Sequence, residues 1–264
     1  MHPMLNIAVR AARAGGRVLT RHMDRLDSIK IETKGHKDFV SEVDRLTEAE
    51  IVQTLSRSYS DHRFVCEESG TSGKSDAEFV WYIDPLDGTK NYLHGYPSFC
   101  VSIAVAQHNR LEQAVIYNPI SQELFTATRG GGATLDGKRL RVGKRHMEDA
   151  LLSTGFGQSN EDSYRKYRRT LDAFSSSASG MRRQGSAALD LAYVAAGRLD
   201  GYYQFGLSTW DIAAGALLVR EAGGLIGDMT GNEGWFESGN VVAASPKVFH
   251  SMIQTFNQLK ITEL

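Results

Sequence analysis

Cysteine is scarce in this sequence: Cys66 and Cys100 are the two in 264 residues. They form no Cys-x-x-Cys pair, so neither a disulfide framework nor a thiolate metal site is expected. Long hydrophobic runs are missing. No stretch approaches the roughly 18 apolar residues of a membrane span, and Met1–Val9 has neither the apolar core nor the small-residue cleavage site of a secretory signal. An excess of either charge is also missing. Thirty Lys and Arg stand against 31 Asp and Glu, a net charge of −1. That leaves no global field to draw in nucleic acid or a membrane surface; any meeting with RNA would run through a local patch or a partner. A reducing, cytoplasmic setting is expected. No internal repeat stands out, and the one biased stretch, Ser175–Ser179, reads as a loop.

What is present is an ordinary globular composition, 41% hydrophobic and 23% charged. The length suits one large α/β unit or two closely packed lobes. Leu5, Ala8, Val9, Ala12, Val18 and Leu19 recur at helical spacing, and Val43, Leu46, Ile51 and Leu55 give a second helix starting near Asp44. The polar stretch Glu32–Lys37 between them, with Gly35, reads as a loop. Phe79–Ile83 is an apolar run too short for a helix and predicts a buried strand, as does Phe99–Ala106. Ala114–Tyr117 and Leu124–Ala127 flank the turn signal Asn118-Pro119 and predict a hairpin, and Asp136-Gly137 marks another tight turn. Further on, strands are expected at Leu151–Thr154, Asp200–Gln204 and Val241–Ala244. Helices are expected at Glu161–Phe174, at Ser186–Ala196 with Ser186 as its cap, at Asp211–Ala222 closed by Gly223-Gly224, and from Pro246 onward. Hairpins in the first half and α–β alternation in the second predict an α+β lobe followed by an α/β lobe.

The densest chemical signal is Asp84-Pro85-Leu86-Asp87-Gly88-Thr89. Two carboxylates follow a buried strand directly, Pro85 restricts the backbone and Gly88 lets it turn closely. A strand end that delivers two carboxylates and the free carbonyl of Leu86 suits a hard cation such as magnesium, which takes oxygen ligands. A second apolar run, Phe64-Val65-Cys66, ends in Glu67-Glu68-Ser69. Adjacent residues on an extended chain point to opposite faces, so one of the two carboxylates faces the Asp84 turn, and Glu67 is the choice. Trp210-Asp211 opens a helix, where Asp is common because it suits the helix dipole. Both cysteines sit in apolar runs and read as small core residues.

These boxes, in this order, resemble the inositol monophosphatase family of the lithium-sensitive, metal-dependent phosphatase superfamily. The matching pieces are Glu67-Glu68-Ser69, Asp84 to Thr89, and Trp210-Asp211-Ile212-Ala213-Ala214-Gly215. Asp38-Phe39-Val40-Ser41 with Asp44 matches an upstream acidic motif, and Gly185-Ser186-Ala187-Ala188 a helix start in the second lobe. The likeness runs from the first helix to the last strand. It implies a layered αβαβα sandwich, with a metal-binding lobe over residues 1–145 and a lobe completing the active site over 146–264, built as one continuous unit. It also implies two or three magnesium ions. Glu67, Asp84 and the Leu86 carbonyl would hold one, Asp84, Asp87 and Asp211 a second, and a weaker third would lie near Glu67. Glu67 and Thr89, with Asp44, would be the catalytic groups that orient and deprotonate water. Asp87, Gly88, Thr89, Arg182, Ser186, Ala187, Gln204 and Asp211 would contact the substrate, a small phosphate ester such as myo-inositol 1-phosphate.

Lithium sensitivity and a homodimer are implied as well. For bacterial members the likeness further implies a role in ribosomal RNA transcription, through a Nus factor and RNA polymerase. Three positions depart from the pattern. Gln204 stands where an acidic residue is common, Ser208 where some members have His or Arg, and Lys90 replaces Thr in the usual Gly-Thr-Thr-Asn. These leave open esters such as 3′-phosphoadenosine phosphate, histidinol phosphate or fructose bisphosphate. Arg182 and Arg183 precede the second-lobe helix start, where a guanidinium could reach a phosphate, and Lys34 lies in the loop beside the upstream acidic motif.

Overall fold

The computed structural model describes residues 2–26, 31–35, 38–156 and 161–261, with the backbone alone at 31–35, 38–41 and 161–163. Helix α1 (Pro3–Met23) starts with proline at a position where no N–H is needed, capped by the His2 ring. A small hairpin of β1 (Ile31–Gly35) and β2 (Asp38–Ser41) leads into α2 (Glu42–Ser56). The expected loop at Glu32–Lys37 is thus mostly a strand. Its signal was hidden because antiparallel pairing to β2, rather than an apolar pattern, makes it. The Lys34 and Asp38 side chains lie outside the described residues.

Next come β3 (Arg63–Cys66), β4 (Gly70–Gly73), β5 (Phe79–Asp87), the short α3 (Thr89–Leu93), β6 (Cys100–Gln107), β7 (Arg110–Asn118), β8 (Glu123–Thr128), β9 (Gly132–Leu135) and β10 (Lys138–Arg139). The second half runs β11 (Leu151–Thr154), α4 (Glu161–Ser177), β12 (Gly180–Arg182), α5 (Ala187–Ala195), β13 (Gly201–Gln204), α6 (Thr209–Glu221), β14 (Leu225–Gly227), α7 (Trp235–Ser238), β15 (Val241–Ala244) and α8 (Pro246–Gln258). Ser175, Ser176 and Ser177 belong to α4, against the loop expectation: the Ser177 hydroxyl bonds back to the Ala173 carbonyl and continues the turn.

The strands form an eight-stranded sheet, ordered β10-β9-β8-β7-β6-β5-β3-β4, and a five-stranded sheet, ordered β12-β11-β13-β15-β14. Both are mixed, with β3–β5 and β11–β12–β13 parallel and the remaining pairs antiparallel. Side chains alternate along a strand, and here the alternation divides three cores. Trp81, Ile83, Val101, Ile103 and Val115 pack under α1 and α2. Residues on the opposite face of the same sheet, Ala104, Ala114, Ile116 and Ala127, pack against α5 and α6, which on their far side meet Tyr202, Val241 and Ala243 of the smaller sheet. The other face of that sheet, Leu152, Tyr203, Val242 and Ala244, packs on Phe174 of α4 and Val248, Met252 and Phe256 of α8. The result is the five-layer αβαβα sandwich. Helices α5 and α6 are apolar nearly all round, as burial between two sheets requires. The larger sheet ends at Arg139 and the smaller begins at Leu151.

Candidate active site

The Asp84–Thr89 turn is built by interrupting β5. Its parallel ladder to β3 ends at Ile83 opposite Cys66. Pro85, which cannot donate to a ladder, therefore lies beyond that pairing. On the other edge β6 continues, with Asp84 opposite Ser102 and Asp87 opposite Cys100, so three steps on β5 span two on β6. The extra residue makes a bulge of the kind that re-aims side chains beside active sites. Asp84 is buried and accepts from the Leu86 N–H at 2.9 Å, closing an Asx turn. Gly88 caps α3 with φ +99°, and a Cβ there would stand 2.9 Å from the Ser98 carbonyl oxygen.

The turn meets side chains from four other elements. The Thr89 hydroxyl lies 3.1 Å from Asp44 Oδ1 on α2 and 3.1 Å from the Leu86 carbonyl oxygen. Glu67, in the turn that follows β3, hydrogen-bonds Asp84 through its side chain, and its N–H donates to the Ile83 carbonyl at 3.2 Å. Asp87 Oδ2 accepts from Ser186 Oγ at 2.5 Å and from the Ala188 N–H at 2.7 Å. Asp211 stands in the first turn of α6, where its carboxylate accepts from the Ser208 N–H at 2.8 Å, and Ser102 Oγ donates to the Trp210 carbonyl at 3.3 Å, docking that helix start on β6. Chain segments more than a hundred residues apart are thereby brought to one end of the larger sheet.

Electrostatics mark the same spot. Burial first, then the charges of Glu67, Asp87 and Asp211, push the Asp84 carboxyl well above its usual range. Burial also raises Asp87, against the opposing hydrogen bonds of Ser186 and the backbone of Ala187, Ala188 and Leu189. Among the described residues no group of three or more Asp, Glu, His or Cys side chains is spaced to hold a metal ion. The donor set nevertheless fits one. Four carboxylates and the Leu86 carbonyl are hard oxygen donors, and a divalent cation relieves the repulsion that raises Asp84. Both cysteines are buried free thiols held protonated: Cys66 is pushed up to about 12 by burial and then by Glu48, and Cys100 is raised by burial and then by Asp87 and Asp84.

The residues expected to contact the substrate have partners of their own. Ser186 and Ala187 face Asp87. The exposed Arg182 donates its guanidinium to the Met181 carbonyl, and Arg183 lies 3.9 Å over the Phe156 ring. Gln204 Oε1 accepts from the Tyr202 hydroxyl at 2.7 Å. Lys90 is exposed on α3, and Ser208 is the cap of α6. Two residues escaped the sequence reading. Buried Glu48 on α2 accepts from the N–H groups of Glu68 and Ser69 at 2.8 and 2.9 Å. Buried Asp190 accepts from Gln184 Nε2 at 2.9 Å, the Gln184 carbonyl accepts from Asn91 of α3 at 2.7 Å, and burial pushes the Asp190 carboxyl up to about 8. No local motif flags either. The one available signal was that Glu48 follows Asp44 by one helical turn, on the same face.

The five layers, with carboxylates converging at one sheet end, define a class, the layered α/β sandwich proteins. Within it the assignment is specific: the chain belongs to the inositol monophosphatase family, whose sequence model matches residues 1–260. It is 50% identical over 261 residues to a Nus factor SuhB of Pseudomonas aeruginosa, covering 97% of this chain and 96% of that one. Among solved structures, the extragenic suppressor protein suhB of Bartonella henselae superposes with a TM-score of 0.93 at 40% identity, covering 97% and 98% of the two chains. The inositol monophosphatase of Anabaena superposes with a TM-score of 0.84 at 34% identity, covering 96% and 95%.

Proposed function

We propose that this protein is a magnesium-dependent phosphomonoesterase that hydrolyses myo-inositol 1-phosphate or a similar small polyol phosphate. The observation that carries the reading is buried Asp84, pressed by the charges of Glu67, Asp87 and Asp211 and standing two to five residues before the Leu86 carbonyl and Thr89. Glu67, Asp84 and the Leu86 carbonyl would hold one ion, and Asp84, Asp87 and Asp211 a second, with a third, weaker site near Glu67. Magnesium there supplies neutralisation of phosphate charge and a lower pKa for water, the two needs of phosphoryl transfer to water.

The chain's own groups do the rest. With its proton directed to Asp44, the Thr89 hydroxyl offers a lone pair to a water molecule and orients it. Glu67 accepts from the same water and draws off its proton. The left-handed Gly88 lets the Gly88 and Thr89 N–H groups, which open α3 without intrahelical acceptors, face phosphate oxygens. Ser186 and the α5 amides hold Asp87 in place, and Arg182, Ser186 and Ala187 would contact the substrate. Gln204, Ser208 and Lys90 are the positions that set which ester is accepted.

The test is phosphate release with magnesium from inositol 1-phosphate, a nucleotide 3′-phosphate, histidinol phosphate and fructose bisphosphate, each with and without lithium. The expected result is magnesium-dependent, lithium-inhibited hydrolysis that is fastest on inositol 1-phosphate. Preference for another ester would move the substrate and keep the reaction; no hydrolysis of any would contradict the proposal.

A second reading rests on the 50% identity to a protein named a Nus factor. In it, the surface of this chain, acting as a cytoplasmic homodimer, joins a transcription-elongation assembly containing RNA polymerase. Retention of those partners by an Asp87→Asn variant that has lost hydrolysis would show that the two roles are separable.

A further inference from the structure

The turn that carries Glu67 is bound to a neighbouring helix. Asp84 closes its own turn by accepting the Leu86 N–H. By contrast, the two amides that follow Glu67 are both bound by one residue twenty positions upstream. Glu48 Oε2 accepts from the Glu68 N–H at 2.8 Å and Glu48 Oε1 from the Ser69 N–H at 2.9 Å. Charge-assisted bonds from a carboxylate to two successive amides are roughly twice as strong as neutral ones. Glu48 itself is 4% exposed, so its geometry is fixed by packing.

Beneath the turn, Cys66 shares a core with Val43, Ile51 and Leu55 of α2. On the outer side, α2 and the turn are separated by a cavity of about 510 Å³, lined by Arg45, Glu48, Ala49, Val52, Glu68 and Ser69. One helical turn before Glu48, on the same face, Asp44 receives the Thr89 hydroxyl. A single helix thus sets the positions of both groups that would handle the water.

We infer that Glu48 is a positioning residue for the reaction: through the Glu68 and Ser69 amides it fixes the turn that aims Glu67 at Asp84. The inference rests on the proposed phosphatase reading for its kinetic consequence but not for its structural one. Carboxylates that support metal ligands from behind typically contribute 10–100-fold to metal affinity or activity.

The experiment compares wild type with Glu48→Ala and Glu48→Gln. It measures kcat, KM, the magnesium concentration for half-maximal rate, and amide hydrogen exchange of the Glu67–Ser69 segment. Glu48→Ala should lower kcat and raise the half-saturating magnesium each by about tenfold or more, with KM for the ester within about twofold. Exchange at Glu68 and Ser69 should quicken while β3 and β5 stay protected. Glu48→Gln, which keeps one acceptor oxygen, should recover part of each loss. A role confined to overall stability would leave the magnesium dependence unmoved, and wild-type kinetics with unchanged exchange in Glu48→Ala would overturn the inference. If Glu48→Ala fails to fold, Glu48→Gln is read by the same criteria. If the wild type hydrolyses no ester, the phosphatase reading fails, and exchange at Glu68 and Ser69 alone decides whether Glu48 holds the turn.

Discussion

The two acidic turns at the end of the larger sheet are built in opposite ways. The Asp84–Thr89 turn is written into its own residues: Asp84 bonds the Leu86 N–H, Pro85 ends the ladder and Gly88 takes a left-handed conformation. The Glu67–Ser69 turn borrows its shape from Glu48, on a helix that precedes it. A locally encoded turn is disturbed most by changing itself. A borrowed one can be disturbed from a distance, without touching any group that meets substrate.

Gly88→Ala attacks the local turn from within. A left-handed conformation costs a non-glycine residue about 1–2 kcal/mol, and here the new Cβ meets the Ser98 carbonyl oxygen at 2.9 Å. Stability should fall by at least about 2 kcal/mol in urea unfolding, and hydrolysis should fall with it. Ser186→Ala attacks the same turn from across the sandwich. It removes the 2.5 Å bond to Asp87 and the cap of α5, and the expected loss is about 1–2 kcal/mol. A loss larger than that of Gly88→Ala would mean that the Asp84 turn, too, is held mainly from outside.

The smallest effect should come from a pair remote from both turns. Glu123 bonds the Arg198 guanidinium, which holds its carboxyl below the usual value of 4.5. A depressed folded value adds stability above the unfolded value and loses it as pH falls through the folded one. Glu123→Gln should therefore cost no more than about 1 kcal/mol at pH 7, and the cost should vanish as the pH is lowered through the folded value. Thermal unfolding across that pH range checks it.

Much of this was readable in the sequence wherever the signal is local. Phe79–Ile83, Leu151–Thr154 and Val241–Ala244 announce strands because a short apolar run must be buried. Ser186 and Pro246 announce helix starts because their chemistry suits the first turn. Edge strand β4, Gly-Thr-Ser-Gly and fully exposed, has no apolar pattern, and it exists because β3 offers it a ladder. The continuation of β5 through Pro85 to Asp87 was equally hidden, since pairing to β6 alone sustains it.

The candidate site divides the same way. Asp84, Asp87 and Thr89 declare themselves by spacing. Glu48 acts through the amides of Glu68 and Ser69, and Asn91 through the Gln184 carbonyl, and in both cases the partners lie in distant segments that no short window of sequence contains.

The convergence of Glu67, Asp84, Asp87 and Asp211 is the proposed cation site. The most direct test is thermal unfolding of wild type and Asp84→Asn with chelator and across a magnesium titration. Asn keeps an oxygen for the Leu86 N–H and removes one of the repelling charges. Asp84→Asn should thus unfold at a higher temperature than wild type in chelator. Magnesium should raise the wild-type midpoint progressively, as a ligand bound only to the folded state must, and leave the variant nearly unmoved. Equal magnesium responses in the two proteins, or none in the wild type, would contradict the account.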